Sequence, residues 1–164
     1  MSRLSSAQLL ALHAAIAEEL RARKLVRTSN NPTGDIAEHM FCKAFGWKME
    51  RNSKAHVDAS DEDGTRYQIK ARRITQHNNS RQMSAIRNLL GGHFDYLACV
   101  LFGEDYTVLR AAIIPLETVV ERSRYVEHTN SHKFILHDDI WSVAGVRDAT
   151  QELINVPLEC ARVV

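Results

Sequence analysis

The chain has 164 residues, of which 45% are hydrophobic and 25% are charged. This composition is typical of one globular domain, which we expect over residues 1–164, and it excludes a disordered, collagen-like or coiled-coil chain. Because 21 Lys and Arg face 20 Asp and Glu, the formal net charge is only +1, and any surface for nucleic acid requires local segregation of charge.

The three cysteines, Cys42, Cys99 and Cys160, are far apart and form no C-x-x-C motif. An odd number of separated cysteines is typical of reduced thiols, which predicts a cytoplasmic protein. No apolar run approaches the ~20 residues that span a membrane, so we expect no membrane partner.

The first predicted element is an amphipathic helix over about residues 6–24, capped by Ser5 or Ser6. Its apolar stripe has intervals of three and four residues and comprises Leu9, Leu12, Ile16 and Leu20. A second helix is predicted over about residues 34–46, where Gly46 ends it.

Two strands follow, near residues 54–60 and 65–72, and the segment Asp61–Gly64 between them predicts a turn. Further along the chain we expect a short helix over 83–90, strands over 96–102 and 107–114, a short helix after Pro115, a strand near 133–137 and a helix from about Asp148. This order predicts an α/β fold that borders on α+β, with a central mixed sheet flanked by helices.

Four polar residues of the second helix and the two strands after it are candidates for one site. Glu38 lies at the margin of the helix's apolar face, and Asp58 lies on the first strand. Gln68 and Lys70 are two residues apart on the next strand, so they share a face. A hairpin brings Asp58 alongside them, and the set is suited to phosphodiester hydrolysis.

The chemical reason is the preference of Mg²⁺ for hard oxygen ligands, of which it needs only one or two carboxylates. The metal polarises the phosphoryl oxygen, and a lysine beside it offsets charge that builds up on the phosphate.

The segment from residue 34 to 73 resembles the PD-(D/E)XK nuclease superfamily, which has the restriction-endonuclease-like fold. Gly34–Glu38 resembles the helical acid segment, Val57-Asp58 matches the first acid, and Gln68-Ile69-Lys70 matches the second acid and the lysine. The pattern differs at Val57, which replaces a proline, and at Gln68, which replaces an acid and removes one negative charge.

The resemblance implies a nuclease-like core over about residues 34–114, with an N-terminal helix and a C-terminal extension of helices and a strand. It implies Glu38, Asp58, Gln68 and Lys70 as catalytic residues. Of these, Glu38, Asp58 and Gln68 would be the ligands of Mg²⁺, for which Mn²⁺ can substitute.

A basic stretch runs from Gly64 to Phe94 and contains no Asp or Glu. Its six Lys and Arg residues give it a local charge of +6, and its amide-rich loop is suited to phosphate and groove contacts. The predicted DNA-binding residues are Arg66, Arg72, Arg73, Arg81 and Arg87.

These features favour a metal-dependent DNA endonuclease, either restriction-like or repair-like. Cleavage of both strands would favour a homodimer. The main alternative is a catalytically inactive DNA-binding protein on the same fold, with Gln68 marking the loss of chemistry. A more distant alternative is a protein-interaction module.

Overall fold

The computed structural model describes residues 4–28, 30–50 and 56–158. Its α-helices are α1 (Ser6–Ala22), α2 (Thr33–Phe45), α3 (Leu116–Arg122) and α4 (Thr150–Ile154). Its strands are β1 (Lys48–Met49), β2 (Ala59–Ser60), β3 (Arg66–Arg73), β4 (Tyr96–Phe102), β5 (Val108–Pro115), β6 (Arg124–Val126), β7 (Ser131–Lys133) and β8 (Arg147–Asp148).

Within these residues, six strands form one mixed sheet in the order β1-β2-β3-β4-β5-β8. The central strands β3 and β4 are parallel, and the other neighbours are antiparallel. Strands β6 and β7 form a separate small hairpin. The prediction of a mixed α/β fold with a central mixed sheet and helices is therefore confirmed.

Each face of the sheet has its own apolar cluster. On one face, α2 packs Met40 and Phe41 against Ile69 of β3 and Val100 of β4. On the other face, the alternate residues of β4 pack against irregular chain and α3; this cluster includes Leu97, Cys99, Leu101, Met83, Ile86, Val119 and Phe134. Strand β4 is buried on both faces, as expected for a central strand with a parallel neighbour.

Helix α1 begins where the sequence predicts. The Ser5 side chain accepts a hydrogen bond from the Gln8 backbone N–H, and the Gln8 side chain accepts one from the Ser5 N–H. This capping box satisfies two N–H groups that have no partner inside the helix. Yet no residue of the helix is buried, and its apolar stripe is half exposed as far as Ile16.

The prediction of a helix over residues 83–90 is wrong, since only a 3₁₀ turn at Leu89–Gly91 is helical there. The three-residue spacing of Met83, Ile86 and Leu89 resembles a helical stripe. However, Met83 donates its N–H to Phe134 O (2.9 Å) and Ile86 donates to His132 O (3.1 Å). The backbone N–H groups of Met83 and Ile86 therefore donate to the segment around residues 132–134, and not to carbonyl groups of a helix.

Several short elements also differ from the sequence predictions. The described part of the strand expected over 54–60 is only Ala59–Ser60; residues 54 and 55 lie outside the described residues. The strand expected near 133–137 is instead Ser131–Lys133, and the last helix begins at Thr150. Asp148, expected to open that helix, belongs to β8 and accepts a hydrogen bond from Thr150 N (2.9 Å).

Cys42 and Cys99 are free thiols, and Cys160 lies outside the described residues. Among the helices that the structure describes, none combines the length and the apolar character needed to cross a membrane.

Candidate active site

The candidate site lies along an open edge of β3. Strand β2 pairs only with Arg66 and Tyr67 of that strand, and no other described strand continues the pairing on that side. A cleft of about 530 Å³ opens beside the unpaired part of β3, between the start of α2 and the loop after β3.

Three of the four predicted catalytic residues line this cleft, namely Glu38, Asp58 and Lys70. Glu38 comes from the second turn of α2, Asp58 immediately precedes β2, and Lys70 is in the middle of β3. Residues 12 to 32 positions apart in the chain therefore meet at one cavity. Two carboxylates and an ammonium group share its wall.

The Asp58 carboxylate is held by the edge of the sheet. Its Oδ2 accepts a hydrogen bond from the Ile69 backbone N–H (2.7 Å), and its own N–H donates to Tyr67 O (2.9 Å). The side chain thus satisfies the first backbone donor that β2 leaves unpaired. Its Oδ1 has no hydrogen bond among the described residues.

Gln68 does not line the cleft and is buried, with 5% of its surface exposed. The β2–β3 register, extended by one residue, puts it beside Asp58. Its Oε1 is fully buried and has no hydrogen-bond partner within the described part of the chain. An acceptor left in this state costs free energy, and a cation or a water beside it would remove that cost.

Glu38 is the residue with the most perturbed ionisation in the cleft. Burial first, and then the negative charge of Asp58, raise the pKa of its carboxyl to about 7, although the positive charges of Arg27 and Lys70 oppose the shift. These mutual effects of charge require that the four side chains lie near one another. Only 16% of the Glu38 side chain is exposed.

Arg27 is a residue of the site that the sequence did not indicate, because it lies between the two predicted helices and belongs to no predicted element. Its guanidinium forms an ion pair with Glu38 Oε2. The buried Asp35 carboxylate fixes the chain there by accepting hydrogen bonds from the N–H groups of Arg27 and Thr28, both at 2.8 Å. A loop separates Arg27 from α2, so no helical spacing could have joined it to Glu38.

The five predicted DNA-binding arginines are in three different environments. Arg72 and Arg73 line the cleft. Arg66 forms an ion pair with Asp95, and Arg81 forms one with Asp138, both at 2.7–2.8 Å. Arg87 lines a second pocket. Because two of the arginines are neutralised by acids outside the basic stretch, the free positive charge is concentrated at the cleft and the second pocket.

The donor set fits a hard divalent cation better than a transition metal. No cluster of three or more His, Cys, Asp or Glu that could hold a metal ion occurs among the described residues. Two carboxylates and one amide oxygen are nevertheless sufficient for Mg²⁺, which keeps several of its waters. The unpartnered Oε1 of Gln68 and the unpaired Oδ1 of Asp58 are consistent with such a ligand set.

Comparison of the chain with models of known protein families and with curated proteins found no match.

Proposed function

We propose that the protein is a metal-dependent DNA endonuclease with a restriction-endonuclease-like arrangement of its core. The observation that carries this proposal is the meeting of Glu38, Asp58 and Lys70 at one cleft. Their order along the chain, with the lysine on the strand that follows the Asp58 hairpin, is that of the superfamily that the sequence resembles. The neighbouring arginines Arg72 and Arg73 add support, because they supply positive charge for a phosphate backbone.

In this proposal Asp58, Glu38 and Gln68 would hold Mg²⁺ or Mn²⁺. When bound, the cation supplies positive charge that polarises the scissile phosphoryl group. Lys70 orients the attacking water and offsets charge on the phosphate. Arg27 stays paired with Glu38 when no cation is present and limits the repulsion between Glu38 and Asp58.

The test is cleavage of supercoiled plasmid with Mg²⁺ or Mn²⁺. Asp58→Asn should abolish nicking, and Lys70→Ala should reduce its rate by roughly 10²–10³-fold, the usual loss for a group that stabilises transition-state charge. Asp63→Asn and Lys43→Ala are matched controls, because both residues are exposed and outside the cleft. Absence of nicking by the wild type, or undiminished nicking by Asp58→Asn, would overturn the proposal.

The second candidate function is DNA binding without cleavage. The observation that favours it is Gln68, a neutral residue in place of an acid, whose side chain is buried and is not among those that line the cleft. A protein that shifts DNA in a salt-dependent manner but nicks no plasmid with either metal would have this function. A protein that does not shift DNA at all would instead be an interaction module.

We further propose that two copies pair through α1 and that the protein acts in the cytoplasm. The free thiols of Cys42 and Cys99 support the cytoplasmic location. The exposed apolar stripe of α1 supports pairing, since residues 6–17 include no Asp, Glu, Lys or Arg and two such helices meet without like-charge repulsion. A homodimer would also supply one cleft for each DNA strand.

A further inference from the structure

A second pocket opens next to the cleft and has a different lining. Its volume is about 610 Å³, and its lining residues are His56, Arg87, Asn88, Thr129 and Asn130. None of these side chains is acidic, and every one of them can donate a hydrogen bond. Among the described residues, no carboxylate pairs with Arg87. The pocket therefore has the chemistry of an anion site.

Two segments of chain run from the cleft to this pocket. Asp58 lines the cleft and His56 lines the pocket, while Ser84 lines the cleft and Arg87 lines the pocket. His56 and Asp58 are two positions apart in the chain, so their Cα atoms lie at most ~7.6 Å from each other, and the cleft and the pocket are neighbours.

Strained backbone conformations are concentrated around the pocket. Three of its five lining residues have a left-handed backbone conformation without being glycine, with φ of 74° at His56, 50° at Asn88 and 42° at Asn130. Asparagine tolerates this region because its side chain can hydrogen-bond locally, whereas histidine does so less readily. Such strain persists only where surrounding contacts enforce it, and it clusters at ligand sites.

The contacts that hold the strained backbone in place surround His93. Its ring stacks on the His56 ring with centroids 5.1 Å apart, and its Nε2 accepts a hydrogen bond from Asn88 Nδ2 (2.6 Å). Packing against it is tight, because a Cβ on Gly91 would meet His93 Nε2 at 2.6 Å. His93 is therefore a positioning residue that holds two walls of the pocket together before any ligand arrives.

We propose that this pocket binds a phosphate group of the nucleic acid close to the cleft, with Arg87 as its charged contact. This inference rests on the proposed function and adds to it a defined second contact on the substrate. The phosphate can be an internal diester or a terminal 5′-phosphate, since both present the same charged oxygens.

The test measures DNA binding in EDTA, where cleavage is blocked, by fluorescence anisotropy over a range of salt concentrations. Arg87→Gln should weaken binding and lower the slope of log affinity against log salt by about one unit, the value for one lost phosphate contact. Lys43→Gln is the charge-matched control and should leave the slope unchanged, because Lys43 is an exposed residue of α2 outside both cavities.

To determine whether the phosphate is terminal or internal, the binding of two linear duplexes is compared. They differ only in that one ends in a 5′-phosphate and the other in a 5′-hydroxyl. A terminal site makes the effect of Arg87→Gln depend on the 5′-phosphate, whereas an internal site makes it equal on both duplexes. If the wild type binds DNA and Arg87→Gln behaves like Lys43→Gln, the pocket proposal is overturned while the endonuclease proposal stands. A wild type that binds no DNA overturns both.

Discussion

Glu38 is the residue through which pH should control metal binding. Its folded-state pKa of about 7 lies above the ordinary 4.5, so between pH 4.5 and pH 7 the metal-free folded protein holds a proton there that the unfolded chain has lost. The contribution of Glu38 to folding is therefore most favourable at low pH and declines as pH rises from 4.5 to 7. A cation that needs the ionised carboxylate must displace that proton.

We predict that Mg²⁺ or Mn²⁺ binding releases about one proton at pH 6 and almost none at pH 8, and that affinity rises between those values. Calorimetric titration in two buffers of different ionisation enthalpy measures the proton count. Glu38→Gln is the control, and it should bind more weakly and release no proton from this position. Equal proton release at pH 6 and pH 8 would contradict the assignment of Glu38 as a ligand.

Gln68 is the residue at which the sequence departs from the nuclease pattern, and its burial makes a sharp prediction. Gln68→Glu would place a second carboxylate beside Asp58 in a buried position. In EDTA we expect this change to lower the free energy of unfolding by about 1–3 kcal/mol, because the new charge is desolvated and repelled. With Mn²⁺ the same variant should gain more stability than the wild type, since a carboxylate is the better ligand.

Gln68→Met is the matched variant, with similar length and no oxygen. We expect it to be as stable as the wild type in EDTA, because it removes an acceptor that has no partner, and to gain less stability from Mn²⁺. Denaturant unfolding with and without metal measures all three proteins. An identical response to Mn²⁺ in the wild type and both variants would show that position 68 is not a ligand.

At the scale of elements, the arginines at the end of β3 and in the loop after it should contribute unequally to DNA affinity. Arg72 donates one hydrogen bond, from its Nε to Ser80 O (3.1 Å). The Arg73 guanidinium stacks over the Tyr106 ring, 5.0 Å from its centroid. Both arginines therefore keep N–H donors for a phosphate. Arg81 is already paired with Asp138. Equal contributions, as the acid-free stretch alone would imply, are therefore not expected.

We predict that Arg72→Ala with Arg73→Ala lowers the salt slope of DNA binding by about two units, at ~0.9 per lost contact. Arg81→Ala should lower it by clearly less than one unit, because Asp138 offsets its charge. The same titration applied to Lys43→Ala provides the baseline. A loss from Arg81→Ala as large as half of the double variant's loss would show that the Asp138 pair opens on DNA.

Sequence patterns identified the long elements because those elements carry their own signals. Helix α2 ends at Gly46, which has the left-handed conformation expected of a C-cap, and the apolar run of β4 is buried on both faces. Strands of two or three residues, such as β1, β6 and β8, are too short to show any periodicity. They are defined by neighbours that come from distant parts of the chain.

The residues of the candidate site also differ in how far the sequence could predict them. Glu38, Asp58 and Lys70 could be found because each is anchored to an element with a readable pattern. Arg27 and His93 could not, because they act through contacts between loops that no spacing rule connects. The environment of Gln68 was likewise hidden, since burial of a polar strand residue depends on what packs over that face of the sheet.

At the scale of the whole molecule, the proposed dimer depends on α1. A 17-residue helix is barely stable alone in water, and this one buries none of its residues. Its stripe of Leu9, Leu12 and Ile16 leads into an apolar groove of about 470 Å³ lined by Ile16, Leu20, Leu25, Pro32, Ile36 and Tyr106, among others. A second copy of α1 laid along the stripe would bury it, at about 1.5–3 kcal/mol for each large apolar side chain.

We therefore predict that the wild type is a dimer in sedimentation velocity and that the triple variant Leu9→Gln, Leu12→Gln, Ile16→Gln is a monomer. Glutamine keeps a good helix propensity, so circular dichroism should show the body of the protein unchanged. Loss of three buried apolar contacts should raise the dissociation constant at least 10²-fold.

Leu10→Gln is the control on the same helix, because Leu10 is 71% exposed and lies about 100° away from Leu9 around the helix. A monomeric wild type, or a Leu10→Gln variant that dissociates as readily as the triple variant, would show that the stripe is not the dimer interface. In that case each cleft would meet DNA as part of a single copy, and nicking of one strand would be the expected product.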